Sequence, residues 1–438
     1  MLRPWYYLAF LAGLFLLLGL LWPYPVRAHA GLVKASPSDL CASLDPLPKP
    51  ATDPVCASGL ILTLPPSELR LQFSEEVQAI RRSITLVGPA GAKVELGPVQ
   101  ASPTELRAAL NISEEGTYRV NWQVLSGDTH PVRGSFAFSL GRASATLAPA
   151  GSDIGAVAPL GLSLQLVSHW LHFLGYALGF GSIAVGWLVL QPLALTRSEQ
   201  VKWRLVDTGL ILLLLAEPLA LLAQTASLGT NQTFDLDLLG DTLASNFGRV
   251  LAQRLGAALL LWVLVGIVKQ GEASRATPLA LGLGLGLALV DGQASHAISS
   301  DPAWLGLLLN TVHTAAMGIW LGGLVLLILV WRLVELHGRQ VALLARFTLV
   351  AVASLTTLVI TGLAMTWLHF NQPSDFLTTN YGLALSSKIV LLLVAMLLAL
   401  VGSRLSYFRR TRWWGLEALT LLGLLVLAGL IVSLPPPA

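Results

Sequence analysis

From Leu160 to its end this chain is a succession of apolar stretches, and that feature leaves few folds open to it. Runs dominated by Leu, Val, Ala and Gly occupy residues 163–194, 205–226, 247–268, 276–293, 303–331, 345–368, 384–403 and 412–434. At 1.5 Å per residue each can cross about 30 Å of hydrocarbon as a helix, the run 276–293 only just. Inside lipid every peptide N–H and C=O must be satisfied within the protein, which for runs of this length selects helices. The whole chain is 54% hydrophobic and 12% charged, too apolar for a soluble protein of its 438 residues. The expectation is an all-α polytopic membrane bundle of about eight transmembrane helices over residues 161–438.

The residues ahead of the bundle obey a different rule. Residues 1–28 have the grammar of a secretory signal peptide: Arg3, an apolar run from Leu8 to Leu21, then Val26-Arg27-Ala28 before a cut that makes His29 the first mature residue. Residues 29–145 are polar, rich in Pro and Gly turns, and alternate with period two at Leu69, Leu71 and Phe73, at Tyr118, Val120, Trp122 and Val124, and at Phe136 and Phe138. Such segments, separated by turns such as Pro89-Ala90-Gly91, predict about seven short strands in an exported all-β immunoglobulin-like sandwich. A flexible Ala-Pro-Gly linker fills residues 146–160. Cys41 and Cys56 fall in a Pro-rich insertion of the exported part. Such a pair predicts a disulfide; a thiolate metal site is the alternative, disfavoured in an oxidising compartment.

Loop charge sets the orientation. Arg197, Lys202, Arg204, Lys269, Arg275, Arg332, Arg339, Arg346, Arg404, Arg409, Arg410 and Arg412 follow alternate spans, whereas the intervening loops carry Asp235, Asp237, Asp241, Asp301 and Asp375 without Lys or Arg. The positive-inside rule places the first set in the cytoplasm and the amino-terminal domain outside. Those three acidic residues at 235–241 read as a solvated loop. The net charge of +3 sits in loops and forms no basic stripe, so nucleic acid is not a partner.

The histidines then sort by depth. His169, His172, His296 and His369 fall toward the outer face and His313 deeper, while His337 is alone in a cytoplasmic loop. Ionisable groups inside membrane helices are costly and mark sites or pathways. His313 and Met317, like Met365 and His369, are four residues apart and share a helix face. Imidazole with thioether suits Cu(I). In the exported part, Asp128 and His130 lie on one side of an extended segment. With the terminal amine and imidazole of His29 they make three nitrogens and an oxygen, a set suited to tetragonal Cu(II).

The sequence also resembles two families. His29-Ala-Gly-Leu-Val-Lys-Ala-Ser-Pro37, Leu71-Gln-Phe-Ser-Glu-Glu-Val77, Gly127-Asp-Thr-His130 and Gly134-Ser-Phe-Ala-Phe138 resemble the periplasmic copper-binding family CopC. That resemblance assigns Cu(II) to His29, His130 and Asp128, with Glu75 or Glu76 as a weaker candidate. The insertion at 41–56 departs from the family pattern, and the domain lacks the methionines of a separate Cu(I) site. His313-Thr-Ala-Ala-Met-Gly-Ile-Trp-Leu-Gly-Gly323, Arg346-Phe-Thr, Thr361-Gly362 and Thr379-Asn-Tyr-Gly-Leu-Ala-Leu-Ser-Ser-Lys388 resemble the CopD copper-resistance membrane family. Together they imply a copper homeostasis protein, not an enzyme, of a bacterial inner membrane. Its metal passes along His169, His172, His296, His313, Met317, Met365 and His369, inward for uptake. Its partners are the copper ion, membrane lipid and a periplasmic copper donor or acceptor protein. Two alternatives are a membrane electron carrier whose helix histidines ligate haem, and a chaperone that hands copper to a respiratory oxidase without transport.

Overall fold

Alternating strand residues and long apolar helices separate into two units, the first built from residues 26–161 and 225–247 and the second from the remainder. The computed structural model describes residues 30–37, 60–127, 129–144, 159–195, 198–229, 236–270, 273–299, 302–334, 337–370, 372–404 and 407–434. The leader, His29, Cys41, Cys56, Asp128 and nearly all of the linker lie outside them.

Among the described residues the first unit has nine strands: β1 (Leu32–Ser36), β2 (Leu60–Leu62), β3 (Glu68–Phe73), β4 (Val77–Val87), β5 (Lys93–Val94), β6 (Gln100–Ser102), β7 (Glu105–Ala109), β8 (Gly116–Ser126) and β9 (Pro131–Leu140). They form two sheets, ordered β1-β3-β7-β6 and β2-β9-β8-β4-β5, whose pairings are antiparallel except for β2 beside β9. Three of the nine, β2, β5 and β6, are only two or three residues long, which is why the count exceeds the expected seven. Period two explains the core. Leu69, Leu71 and Phe73 of β3 and Leu106 of β7 meet Ile84 and Leu86 of β4, Tyr118, Val120 and Trp122 of β8 and Phe138 of β9. Each large side chain so buried stabilises the fold by roughly 1.5–3 kcal/mol. Trp122 lies opposite Gly134 in the β8–β9 ladder, and a methyl group there would meet the indole at 2.5 Å. The missing side chain makes room for the ring, which packs edge-on to Phe73 at 5.3 Å.

The helices are α1 (Leu160–Leu193), α2 (Glu199–Leu228), α3 (Leu236–Ala244), α4 (Asn246–Lys269), α5 (Ala273–Gln293), α6 (Ala303–Val330), α7 (His337–His369), α8 (Asn380–Arg404) and α9 (Tyr407–Ser433). The short helix α3 belongs with the sandwich and corrects the reading of Asp237 and Asp241 as a solvated loop; Asp235 lies outside the described residues. Asp237 pairs with Arg81 at 3.0 Å, and Asp241 accepts the Arg81 backbone N–H at 2.8 Å. Beside them Leu228 and Leu238 form an apolar cluster with Ile80 and Leu125. This cover explains why β8 loses its alternation after Trp122, with Leu125 and Ser126 buried as fully as Val124.

In the second unit, seven helices among the described residues are long and apolar enough to cross a membrane: α1, α2, α4, α6, α7, α8 and α9. The run expected at 276–293 is helical as α5 but is not one of the seven. Pro278, Gly282, Gly284 and Gly286, with Asp291 and Gln293 at its end, dilute its apolar character. Leu349, Ile360, Leu363 and Trp367 of α7 and Val390 and Leu397 of α8 face outward. An apolar exterior of this extent suits lipid. The central element is α6, which packs against α1, α5, α7 and α9. Its contact with α1 is backbone on backbone, since a methyl at Gly181 or Gly322 would overlap the carbonyl of Gly318 or Ala177.

Candidate metal sites

At one end of the sandwich three segments meet because the ladders fix their register. β1 enters opposite the end of β3 with Leu32 facing Phe73, and the Gly31 N–H donates to Ser74 Oγ at 2.9 Å. β4 leaves the same turn with Val77 opposite Ser126, the last residue of β8. The β8–β9 turn closes by Ser126 N–H to His130 C=O and Thr129 N–H to Ser126 C=O, each 3.0 Å. Thr129 takes φ +72°, a left-handed conformation uncommon for a β-branched residue, which lets the chain reverse over four residues. Ala30, Glu75 and His130 therefore occupy neighbouring segments, with the Glu75 carboxyl 5% exposed and His130 half-buried. Of the expected Cu(II) set only His130 is described, since His29 and Asp128 lie outside the described residues. Among the described residues no three His, Cys, Asp or Glu side chains converge as a metal cage.

The bundle encloses a cavity of about 210 Å³ lined by five of the seven expected membrane residues: His296, His313, Met317, Met365 and His369. Asn310, Thr366, Tyr381 and Lys388 share the wall with apolar side chains, and among the described residues no carboxylate does. The hydrogen bonds distinguish the histidines. Thr361 donates its hydroxyl to the Thr357 carbonyl at 2.7 Å, so the same oxygen, 2.9 Å from His313 Nδ1, is left to accept. His313 thus carries its proton on Nδ1, which leaves the Nε2 lone pair for a metal. His369 instead places Nδ1 2.7 Å from the Met365 carbonyl and Nε2 3.1 Å from the His296 carbonyl, tying α7 to the turn before α6. The imidazole of His296 packs edge-on to Tyr381.

The other two expected residues stand outside the cavity wall. Ser433 Oγ lies 3.4 Å from His169 Nδ1. His172 is gripped on both sides, Nδ1 2.8 Å from Glu217 and Nε2 3.0 Å from Asp291, while Arg254 Nε stands 2.8 Å from the other Asp291 oxygen. With both nitrogens against carboxylates, His172 has no lone pair for copper or for a haem iron. Depth alone groups it with the other histidines. Its partner Asp291 stands at the end of a Gly-rich run, where a lone carboxylate in a membrane helix is itself a signal. Thr361 was visible only as part of a motif, because its role depends on meeting His313 across two helices. His337 belongs to α7, at the opposite end from His369.

Comparison with known proteins supplies the class. Residues 52–141 match the CopC domain, and residues 160–307 match the copper resistance protein D-like N-terminal domain. The chain thus carries a CopC domain followed by a copper resistance protein D-like N-terminal domain, and its seven candidate membrane helices make it a multi-pass membrane protein. It is similar to the copper transport protein CutJ of Bacillus subtilis (strain 168), 25% identical over 94% of this chain and 75% of that protein. Copper resistance protein C of Xanthomonas campestris pv. juglandis is 31% identical over 84 residues, 17% of this chain and 66% of that one. The crystal structure of CopC from Methylosinus trichosporium OB3b, at 25% identity, covers 27% of this chain and 99% of that chain with a TM-score of 0.20.

Proposed function

We propose that this protein binds copper at the end of the sandwich and carries it across the plasma membrane through the bundle, in the direction of uptake. The observation that carries the reading is the cavity, where the imidazole of His313 and the thioethers of Met317 and Met365 share a wall free of carboxylates among the described residues. Soft neutral donors of this kind favour Cu(I) over Cu(II) and over the harder divalent cations, so copper held as Cu(II) at the sandwich takes one electron from an external reductant, such as a thiol, before it enters the cavity. At the sandwich, the amine and imidazole of His29 with His130 and Asp128 hold Cu(II), and Glu75 lines the same end. The amine becomes available only when the leader is cut after Ala28. Loop charge supports an extracytoplasmic sandwich, and so supports capture outside followed by inward passage. The names of CutJ and copper resistance protein C support copper as the metal. The role is binding and transport, with no catalytic step.

The test is copper entry into proteoliposomes holding the full chain, with Cu(I) supplied outside and the lumen assayed by elemental analysis. We expect saturable uptake that falls at least tenfold in His313→Ala and severalfold in Met317→Leu. Wild-type vesicles that accumulate no copper would refute transport and leave a copper chaperone. In cells, deletion should lower copper content; a rise would reverse the direction.

A further inference from the structure

The cluster of His172, Glu217, Asp291 and Arg254 belongs neither to the copper cavity nor to the sandwich. It draws on four helices, α1, α2, α5 and α4 in that order, and none of the four residues is more than 8% exposed. Four ionisable groups so deep in a membrane bundle are expensive unless they balance, and such groups mark ion or proton paths.

Their geometry fixes a proton count. Both carboxylates are acceptors, yet both ring nitrogens of His172 approach them, at 2.8 and 3.0 Å. Either the imidazole donates from both nitrogens, or one carboxyl is protonated and donates to a neutral ring. Each arrangement places one proton in the cluster beyond a neutral imidazole, a guanidinium and two carboxylates. With that proton the charges sum to zero; without it the cluster holds a net negative charge away from water. The titratable and charged groups facing His172 are Glu217 of α2, Asp291 of α5 and, beyond Asp291, Arg254 of α4. On its own helix Tyr176 gives its hydroxyl to the Gly284 carbonyl at 3.1 Å.

Helix α1 connects the cluster to the cavity wall. Phe173, next to His172 in the chain, lines the cavity wall. One turn on, α1 leaves regular helical winding at Ala177–Gly181 and again at Gly186–Leu190. Wide turns of this kind interrupt the hydrogen-bond ladder and recur at functional sites.

We propose that this cluster is a proton-binding site that accepts and releases one proton in each transport cycle, so that copper movement is coupled to protons. The inference rests on the transport reading, and two measurements keep the failures apart. The first is infrared titration of the purified full chain. Wild type should show one protonation band set that His172→Gln removes; identical wild-type and H172Q titrations would overturn the site whether or not copper moves. The second follows copper and lumenal pH together in proteoliposomes. Copper flux should change at least threefold with an imposed pH gradient, and Asp291→Asn should abolish that dependence. Since removing one buried charge can unfold the bundle, the double variant Asp291→Asn/Arg254→Gln, which removes a charge of each sign, provides a second test. Wild-type copper flux indifferent to the gradient would overturn the coupling. No copper flux in any vesicle refutes transport and the coupling with it, and the titration then decides the site alone.

Discussion

His313 on α6 and Thr361 on α7 stand 2.9 Å apart, Nδ1 to Oγ1, and the threonine hydroxyl is itself committed to the Thr357 carbonyl one turn back. That arrangement fixes which ring nitrogen of His313 carries the proton, and so which is left to bind metal. Thr361→Val keeps the volume but removes the acceptor, releasing the ring to either tautomer. Cu(I) affinity, measured by competition with a chromophoric Cu(I) chelator, should fall about 10–100-fold, the usual effect of losing a supporting group behind a ligand. Thr361→Ser should retain most of it. Equal affinity in wild type and Thr361→Val would remove His313 Nε2 from the ligand set.

At the sandwich the prediction concerns oxidation state. His130 is held at the close of the β8–β9 turn, beside the segment that leads back to His29. His130→Ala in the full chain should eliminate the tight Cu(II) electron paramagnetic resonance signal while leaving Cu(I) binding in the bundle unchanged. Amino-terminal sequencing of the mature chain should begin at His29. Another start with full Cu(II) affinity would show that the terminal amine plays no part.

The parts of this chain legible in the sequence are those governed by local rules. Period two in β3 and β8 and the long apolar runs of the bundle follow from the backbone alone, and both became the expected elements. Helix spacing also placed Met317 one turn from His313 and Met365 one turn from His369, and the cavity gathers all four. What escaped were relationships between distant segments. Depth along α1 could not separate His172 from a metal ligand, because its two carboxylate partners arrive from α2 and α5, 45 and 119 residues away. Nor could composition tell that Leu238, in a segment studded with Asp, packs with Leu125 on the outer face of a sheet.

That last contact permits a comparison of forces. Arg81 and Asp237 form an ion pair at 3.0 Å, but their side chains are 59% and 61% exposed, where such pairs contribute at most about 1 kcal/mol. Leu125 and Leu238 are 1% and 5% exposed, and truncating a buried leucine costs about 2–5 kcal/mol. Leu238→Ala should therefore expose the α3 segment to limited proteolysis far more than Arg81→Ala does. Equal susceptibility of the two variants would mean that charge, and not apolar burial, holds α3 in place.

Tyr118 gives the sandwich an alkaline limit. Its ring is 2% exposed and stacks on Phe138 at 5.5 Å, and its hydroxyl donates to the Glu114 carbonyl at 2.7 Å. Burial raises the phenol pKa above its ordinary value near 10, and the charge of Glu114 adds to the shift. The folded state thus holds its proton more tightly than the unfolded chain. The sign follows from linkage: the stabilisation is complete below pH of about 10 and is lost as pH rises through the raised folded value. The near-ultraviolet dichroism of the sandwich aromatics should melt at progressively lower temperature above that pH. Tyr118→Phe cannot ionise and forgoes the bond to Glu114, so it should be less stable at neutral pH yet flatter in the alkaline range. An equally steep alkaline decline in Tyr118→Phe would assign the limit to another group.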